Sequence, residues 1–334
     1  MAKVSIVDVA RVAGVSVSTV SLVLRKKGHI SQPTIERVQC AIDELGYIYN
    51  QSAANLRSQK SNLIGLLFEQ LDSDFSIKIL KTLIQALDKK GFTVMVKTGQ
   101  LQPPQLTGLL NEFKAQHVAG VILVASGSLD EPSAQSLAAV ELPYQMIASY
   151  QEGEGMSDLV VCDPYRDGLT LTRFLLDMGH VTTLFLGGEQ EDPVFTRRAE
   201  GYRAAYRERG IPERKALVIT SDRDLAGQRQ RLESALRSDN SISALVCHSF
   251  AAAMLATQCI LKLGYGIGKD FILAQQKYVV CFQEVDRFSS EVMELPYLLL
   301  PLEAMTHQAV LQLLERIQSG TPQPLRAFAG DLIC

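Results

Sequence analysis

Nowhere in the 334 residues does an apolar run reach the ~18 residues that a membrane-spanning helix needs, so no membrane partner is expected. The opening residues, Met1-Ala2-Lys3-Val4-Ser5, lack the apolar core and small-residue cleavage site of a secretory signal, and a cytoplasmic location is expected. The six cysteines (Cys40, Cys162, Cys247, Cys259, Cys281 and Cys334) contain no C-x-x-C pair. They read as reduced, mostly buried thiols rather than a disulfide framework or a zinc site. The five histidines, His29, His117, His180, His248 and His307, never stand three or four apart, which argues against a catalytic zinc. No cofactor or metal is expected. Disorder is excluded by an apolar fraction of 47%. At roughly 150 residues per domain, the length suggests two or three domains.

The small net charge of −3 hides an asymmetry. Residues 1–60 carry eight Lys and Arg against four Asp and Glu, a net +4, which leaves −7 for the remainder. A basic head on an acidic body points to nucleic-acid contact by the head alone.

Three short helices are predicted in that head. Ser5 caps the first, with Asp8 three residues on as the acid of a capping box. Ile6, Val9, Ala10 and Ala13 line one face, and Gly14 stops the helix. Ser16 caps a second helix, Val17 to about Leu24, after a link of only Gly14-Val15-Ser16. Ala10 and Gly14 are small enough for the two helices to cross closely. Ser31 caps a third helix, with Pro33 in its first turn, a stripe of Ile35, Val38, Ile42 and Leu45, and Gly46 as its end. Two helices on so short a link fit a helix-turn-helix; a plain helical bundle is the alternative.

The pattern D-V-A-x-x-A-G-V-S-x-x-T-V-S from Asp8 to Ser21, followed by E-x-V-x-x-A-I-x-E-L-G-Y-x-x-N from Glu36 to Asn50, resembles the N-terminus of the LacI/GalR family of bacterial repressors. Within the family, the run SVSTVSLVL is most similar to the maltose-regulon repressor branch. The resemblance implies a homodimeric, effector-modulated repressor of carbohydrate genes, not an enzyme, with residues 1–46 as the DNA-binding domain and 47–60 as a hinge. In the family the start of the second helix reads base edges, which here means Val17, Ser18 and Leu22. None offers a bidentate contact to guanine or adenine. Val17 and Leu22 suit thymine methyl groups and Ser18 hydrogen-bonds to several bases, so an A·T-rich, pseudo-palindromic operator is expected. The alternative for Val17 and Leu22 is a place in the core, a role that Val20 and Val23 fit better. Ser5, Ser16, Thr19, His29, Ser31 and Asn50 complete the expected DNA-facing set. Arg25, with Lys26 and Lys27, adds charge that positions without specifying sequence.

Residues 50–58 resemble the family's hinge helix. Alone the segment is too short to be helical, because isolated helices under ~12 residues are marginal in water. Ala53 allows two copies to approach. Leu56 matches the leucine that wedges into the central base step. At Ala54 many relatives carry Arg, and one minor-groove charge is lost. A polar linker is the alternative reading.

From Ser61 onward short apolar runs alternate with amphipathic helices, which implies parallel sheets. The resemblance extends through "GLLFEQL", "GVILVAS", "CDPYRDG" and "TRRAEGYRAAYRERGI". It implies an α/β, periplasmic-binding-protein-like body of two doubly wound subdomains, 61–162 with 292–322 and 163–291 with 323–334. The chain would then cross between them near 162, 291 and 322. Effectors would bind at strand carboxyl ends. Arg198 matches an arginine whose planar fork grips ligand oxygens, or else pairs with Glu189 or Glu191. Phe75 matches an aromatic that stacks on a sugar face, or else is a core residue. Ser149 stands where relatives carry an effector-binding Asp. Asp163 is read as a helix cap. Two expected contacts depart from the family: Ser249, with Phe250, replaces Asn-Asp or Asn-Glu, and Gln283 replaces an Asp. The resemblance implies a sugar or sugar-phosphate effector, but with these departures either the ligand differs, binding is weak, or the pocket no longer senses a sugar and the body answers to another metabolite, to a partner protein or to nothing. The sequence identifies no acid partner for the adjacent His248 and Ser249, which argues against nucleophilic chemistry. No leucine heptad tail is seen, and a dimer rather than a tetramer is expected.

Overall fold

A computed structural model describes residues 4–24, 28–47, 61–72, 74–125, 127, 129–150, 157–189, 191–212, 216–221, 224–270, 272, 275–283 and 295–334. Contacts divide the chain into two units, Met1–Ser61 and Asn62–Cys334.

The first unit holds α1 (Ile6–Ala13), α2 (Val17–Leu24) and α3 (Gln32–Leu45). The capping box forms: the Asp8 amide donates to Ser5 Oγ at 3.4 Å and the Ser5 amide to Asp8 Oδ2 at 3.0 Å. The Ser5 hydroxyl, then its amide, hold the Asp8 carboxyl below its ordinary range. Gly14 adopts φ +64°, a left-handed cap, and the chain turns through 103° between α1 and α2. Ser16 Oγ accepts from the Thr19 amide at 3.1 Å and starts α2. Ser31 departs from expectation. It occupies the N-cap of α3, but its hydroxyl pairs with Thr34 Oγ1 at 2.9 Å rather than with a backbone N–H. The core is Val9, Ala10, Ala13, Val20, Val38 and Ala41, with Ile42 and Leu45 packed on it. Ile35 is half-buried outside that cluster. Three fully buried valines contribute about 1.5–3 kcal/mol each, so the small alanines serve mainly to bring the helices together.

The second unit is built on two sheets. The first comprises β1 (Leu63–Phe68), β2 (Thr93–Thr98), β3 (Gly120–Ala125), β4 (Tyr144–Ala148), β5 (Leu159–Cys162) and β12 (Arg326–Phe328), in the order β12-β5-β4-β3-β1-β2, all parallel. Helices α4 (Asp74–Asp88), α5 (Gln105–Ala115), α6 (Glu131–Val140) and α11 (Leu302–Ser319) belong with it. In the second, β6 (Thr183–Leu186), β7 (Ala216–Ile219), β8 (Ala244–Cys247), β10 (Gln276–Gln283), β11 (Tyr297–Leu299) and β13 (Asp331–Ile333) run in the order β13-β11-β10-β8-β6-β7. A short β9 (Gly266–Ile267) pairs with β10, and β13 alone is antiparallel. Its helices are α7 (Pro164–Asp177), α8 (Pro193–Glu208), α9 (Leu225–Ser238) and α10 (Phe250–Lys262). The inner strands are buried on both faces and read as continuous apolar runs, as in GVILVA, the sequence of β3.

The chain leaves the first sheet after Cys162. The other two expected crossings are corrected. β11 (297–299) still pairs with β10, so the return lies after 299 rather than near 291. β12 (326–328) pairs with β5, so the last crossing lies between 328 and 331 rather than near 322. Three-residue strands carry too little periodicity to be read from sequence.

Helices α7 and α8 touch backbone to backbone. A Cβ on Gly168 would lie 2.1 Å from the Arg198 carbonyl oxygen, and one on Gly201 would lie 2.0 Å from that of Tyr165. This reciprocal glycine contact fixes the height at which α8 presents Arg198.

Candidate functional sites

In the head, α2 turns Val17 and Leu22 outward, 37% and 39% exposed, while Val20 is fully buried and Val23 half-buried. The two outward residues therefore take no part in the core. Ser18, beside them, is exposed, as are Ser5, Ser16, His29 and Ser31; Thr19 is half-buried. This gives a surface of short hydroxyl and apolar groups at the start of α2. Arg25, Asn50, Ala53 and Leu56 lie outside the described residues.

In the second unit a cavity of about 430 Å³ opens where strands of both sheets end. That volume suits a small ligand, for which pockets of roughly 300–1,000 Å³ are usual. Glu69, Gln70 and Asp72 follow β1, Val124 and Ala125 end β3, and Ser149 follows β4. From the other side come Asp192, Val194, Arg198 and His248. Buried aromatics lie in the same cluster, from Phe75 to Phe185, Phe195 and Phe282. Phe75 joins both sequence readings, since it is buried in this core and also lines the cavity.

Arg198 is only 4% exposed. Its Nη1 donates to the His248 carbonyl at 3.2 Å and its guanidinium lies 4.3 Å from the centroid of Phe282. Asp192 caps α8, accepting from the Val194 amide at 2.9 Å, and its other oxygen lies 3.3 Å from His248 Nε2. Burial would raise the Asp192 carboxyl, but the hydrogen bond from His248, the Val194 amide and Arg198 together hold it below its ordinary range. Burial lowers the His248 imidazole, against the pull of Asp192, so a neutral ring donates from Nε2. Asp192 and His248 were not anticipated from sequence. The Asp-Pro pair at 192–193 is a helix start with proline in the first turn, a signal that could have found Asp192.

Two expected contacts are corrected. Ser249 does not line the cavity; its Oγ accepts from the Ala252 amide at 3.3 Å as the cap of α10, and its neighbour His248 takes the place on the wall. With that oxygen turned to the helix, Ser249 makes no nucleophile–base pair with His248. The Gln283 side chain lies outside the described residues. Asp163 does cap α7, accepting from the Arg166 amide at 3.0 Å. Among the described residues no group of three His, Cys, Asp or Glu could hold a metal ion. None of them forms a single helix long and apolar enough to cross a membrane.

Asp167, fully buried on α7, accepts from the Gly330 amide at 2.8 Å and so ties that helix to the last crossing. Burial raises its carboxyl to about 6, against the opposing effects of the Gly330 amide and Arg198. The folded chain therefore holds a proton that the unfolded chain has lost, and stability falls as pH rises from about 4 to about 6. Asp167→Asn keeps the acceptor and removes the titration. Its stability relative to the parent is expected to rise by roughly 3 kcal/mol across that window, read from denaturant midpoints at each pH. A constant difference would refute the assignment.

Residues 5–50 match the family described as "Bacterial regulatory proteins, lacI family", and residues 61–322 match "Periplasmic binding proteins and sugar binding domain of LacI family". The maltose regulon regulatory protein MalI of Escherichia coli (strain K12) is 33% identical over 84% of this chain and 83% of its own length. The HTH-type transcriptional regulator DegA of Bacillus subtilis (strain 168) is 31% identical over 65% of each. In fold, a lac repressor dimer bound to operator and the anti-inducer ONPF superposes with a TM-score of 0.77 at 21% identity, covering 100% of this chain and 98% of that one. These relatives are regulators rather than enzymes. The chain belongs to the LacI family of bacterial regulatory proteins and is a DNA-binding transcriptional repressor with that family's sugar-binding body.

Proposed function

We propose that the chain represses transcription in the cytoplasm as a homodimer on an A·T-rich pseudo-palindrome, and that a small sugar in the cavity sets its affinity for DNA. Residues 1–46 form the reading head and 47–60 the hinge. The observation that carries this reading is the cavity at the strand ends of both sheets, in a chain whose head leaves Val17, Ser18 and Leu22 exposed. A ligand touching both sheets favours one setting of them over another, and operator affinity shifts by its differential binding to the two. In one setting the paired hinges let both Leu56 side chains enter the central base step; in the other they do not. Ile77 and Ile84, seven residues apart on α4, and Val96 on the edge strand β2 are exposed apolar groups suited to a second copy. A net +4 per head is modest, so useful affinity at cellular salt needs two heads. The relation to MalI supports maltose or related carbohydrate genes as targets.

Footprinting the intact chain on DNA upstream of its own gene tests the reading. Two protected half-sites about one helical turn apart, rich in A·T, are expected. Protection of a single half-site would contradict it.

A further inference from the structure

The charges around the cavity narrow the chemistry of its ligand. Among the described lining residues Glu69, Asp72 and Asp192 are acidic, and Arg198 is the one residue with a permanent positive charge. A phosphate group needs a fixed cation, a run of free backbone N–H groups, or both. Arg198 gives Nη1 to the His248 carbonyl and lays its plane against Phe282, so a single guanidinium, with no second fixed cation among the described lining residues, would face a phosphate. His248 is given over to Asp192, and burial keeps its ring neutral. Asp192 spends its Oδ1 on the Val194 amide at the N-terminus of α8, which places a carboxylate at the helix end that could otherwise receive an anion. Glu69 and Asp72, on the opposite wall, follow β1 and add two more negative charges. The other described lining residues are apolar or neutral, among them Phe75, Val124, Ser149 and Leu300.

We infer that the cavity takes an uncharged polyhydroxylated ligand and rejects its phosphate ester, so that the chain senses a free sugar and not a phosphorylated one. The inference rests on the reading of this cavity as the effector site. Carboxylates accept hydrogen bonds from ligand hydroxyls, the Arg198 fork donates to ligand oxygens, and Phe75 offers an apolar surface to a sugar ring. A dianionic phosphate would instead meet three carboxylates against one guanidinium among the described lining residues, and like-charge repulsion would oppose it.

The test uses the full chain and matched pairs: glucose with glucose 6-phosphate, and maltose with maltose 6′-phosphate, read by thermal shift and by calorimetric titration. The neutral member of at least one pair is expected to raise Tm, with its phosphate ester binding at least about tenfold more weakly. In the double variant Glu69→Gln, Asp72→Asn that gap is expected to shrink at least about threefold. A phosphate ester that binds as tightly as its parent sugar overturns the inference and leaves the effector site standing. A gap that persists unchanged in the variant overturns the electrostatic account. No shift from any member of either pair overturns the inference together with the sugar-effector reading on which it rests.

Discussion

Arg198→Lys is expected to weaken the effector about a hundredfold while leaving operator affinity within about threefold of the parent. Arginine presents a rigid planar fork of donors, whereas lysine offers a flexible point charge. Charge-assisted hydrogen bonds contribute about 1.5–3 kcal/mol each, so losing one good pair of them costs about 3 kcal/mol, or a factor near one hundred. Lysine is the informative replacement because it keeps a positive charge beside Asp192, whose carboxyl Arg198 helps to hold ionised. A shorter apolar residue would leave that half-buried carboxylate less compensated and mix folding with binding. In cells the variant's target genes would no longer change expression when the sugar is supplied. Unchanged effector affinity by calorimetry would remove Arg198 from the ligand contacts and leave its stacking on Phe282 as its role.

Gly201→Ala is the second large effect. On a helix surface the exchange would stabilise by up to ~1 kcal/mol through helix propensity. Here the new Cβ would lie 2.0 Å from the Tyr165 carbonyl oxygen and 2.8 Å from the Leu169 amide nitrogen. Both are backbone atoms and cannot rotate away, so α7 and α8 must separate. Overpacking of this kind costs typically 1–3 kcal/mol and more where backbone must move, so the penalty outweighs the propensity gain. A fall in Tm of roughly 5–10 °C is expected by calorimetry. Because Gly201 stands one helical turn after Arg198, the variant should also lose effector affinity. A higher Tm would mean that the two helices do not touch as described.

Much of this was legible in the sequence, for physical reasons that can be named. Ser5, Asp8, Gly14 and Gly46 act locally, through hydrogen bonds and backbone angles within four residues, and their roles are found as read. The alternation of apolar runs and amphipathic helices sufficed for two parallel sheets, since that pattern reports burial on both faces of each inner strand. Phe75, Ser149 and Arg198 line one cavity. What failed depends on partners distant in sequence or on signals too short to register. The crossings rest on β11, β12 and β13, three residues each. The helix bearing Arg198 begins at Pro193 rather than at Arg198 itself, so Asp192 was overlooked as its cap. Ser249 reads as a ligand contact because it stands where relatives carry Asn, but a serine just before Phe250-Ala251-Ala252-Ala253 is equally a helix cap, and the geometry selects that role. The contact between Asp167 and Gly330 spans residues far apart in the chain and has no local sign at all.

The central claim is that two heads and two hinges read one operator together. Its most direct measurement is a footprint of the parent chain and of Leu56→Ala, side by side, on the DNA upstream of the chain's own gene. The account predicts a protected A·T-rich palindrome for the parent, with its affinity sharply reduced in the variant. Equal footprints for both proteins, or protection of one isolated half-site, would contradict it.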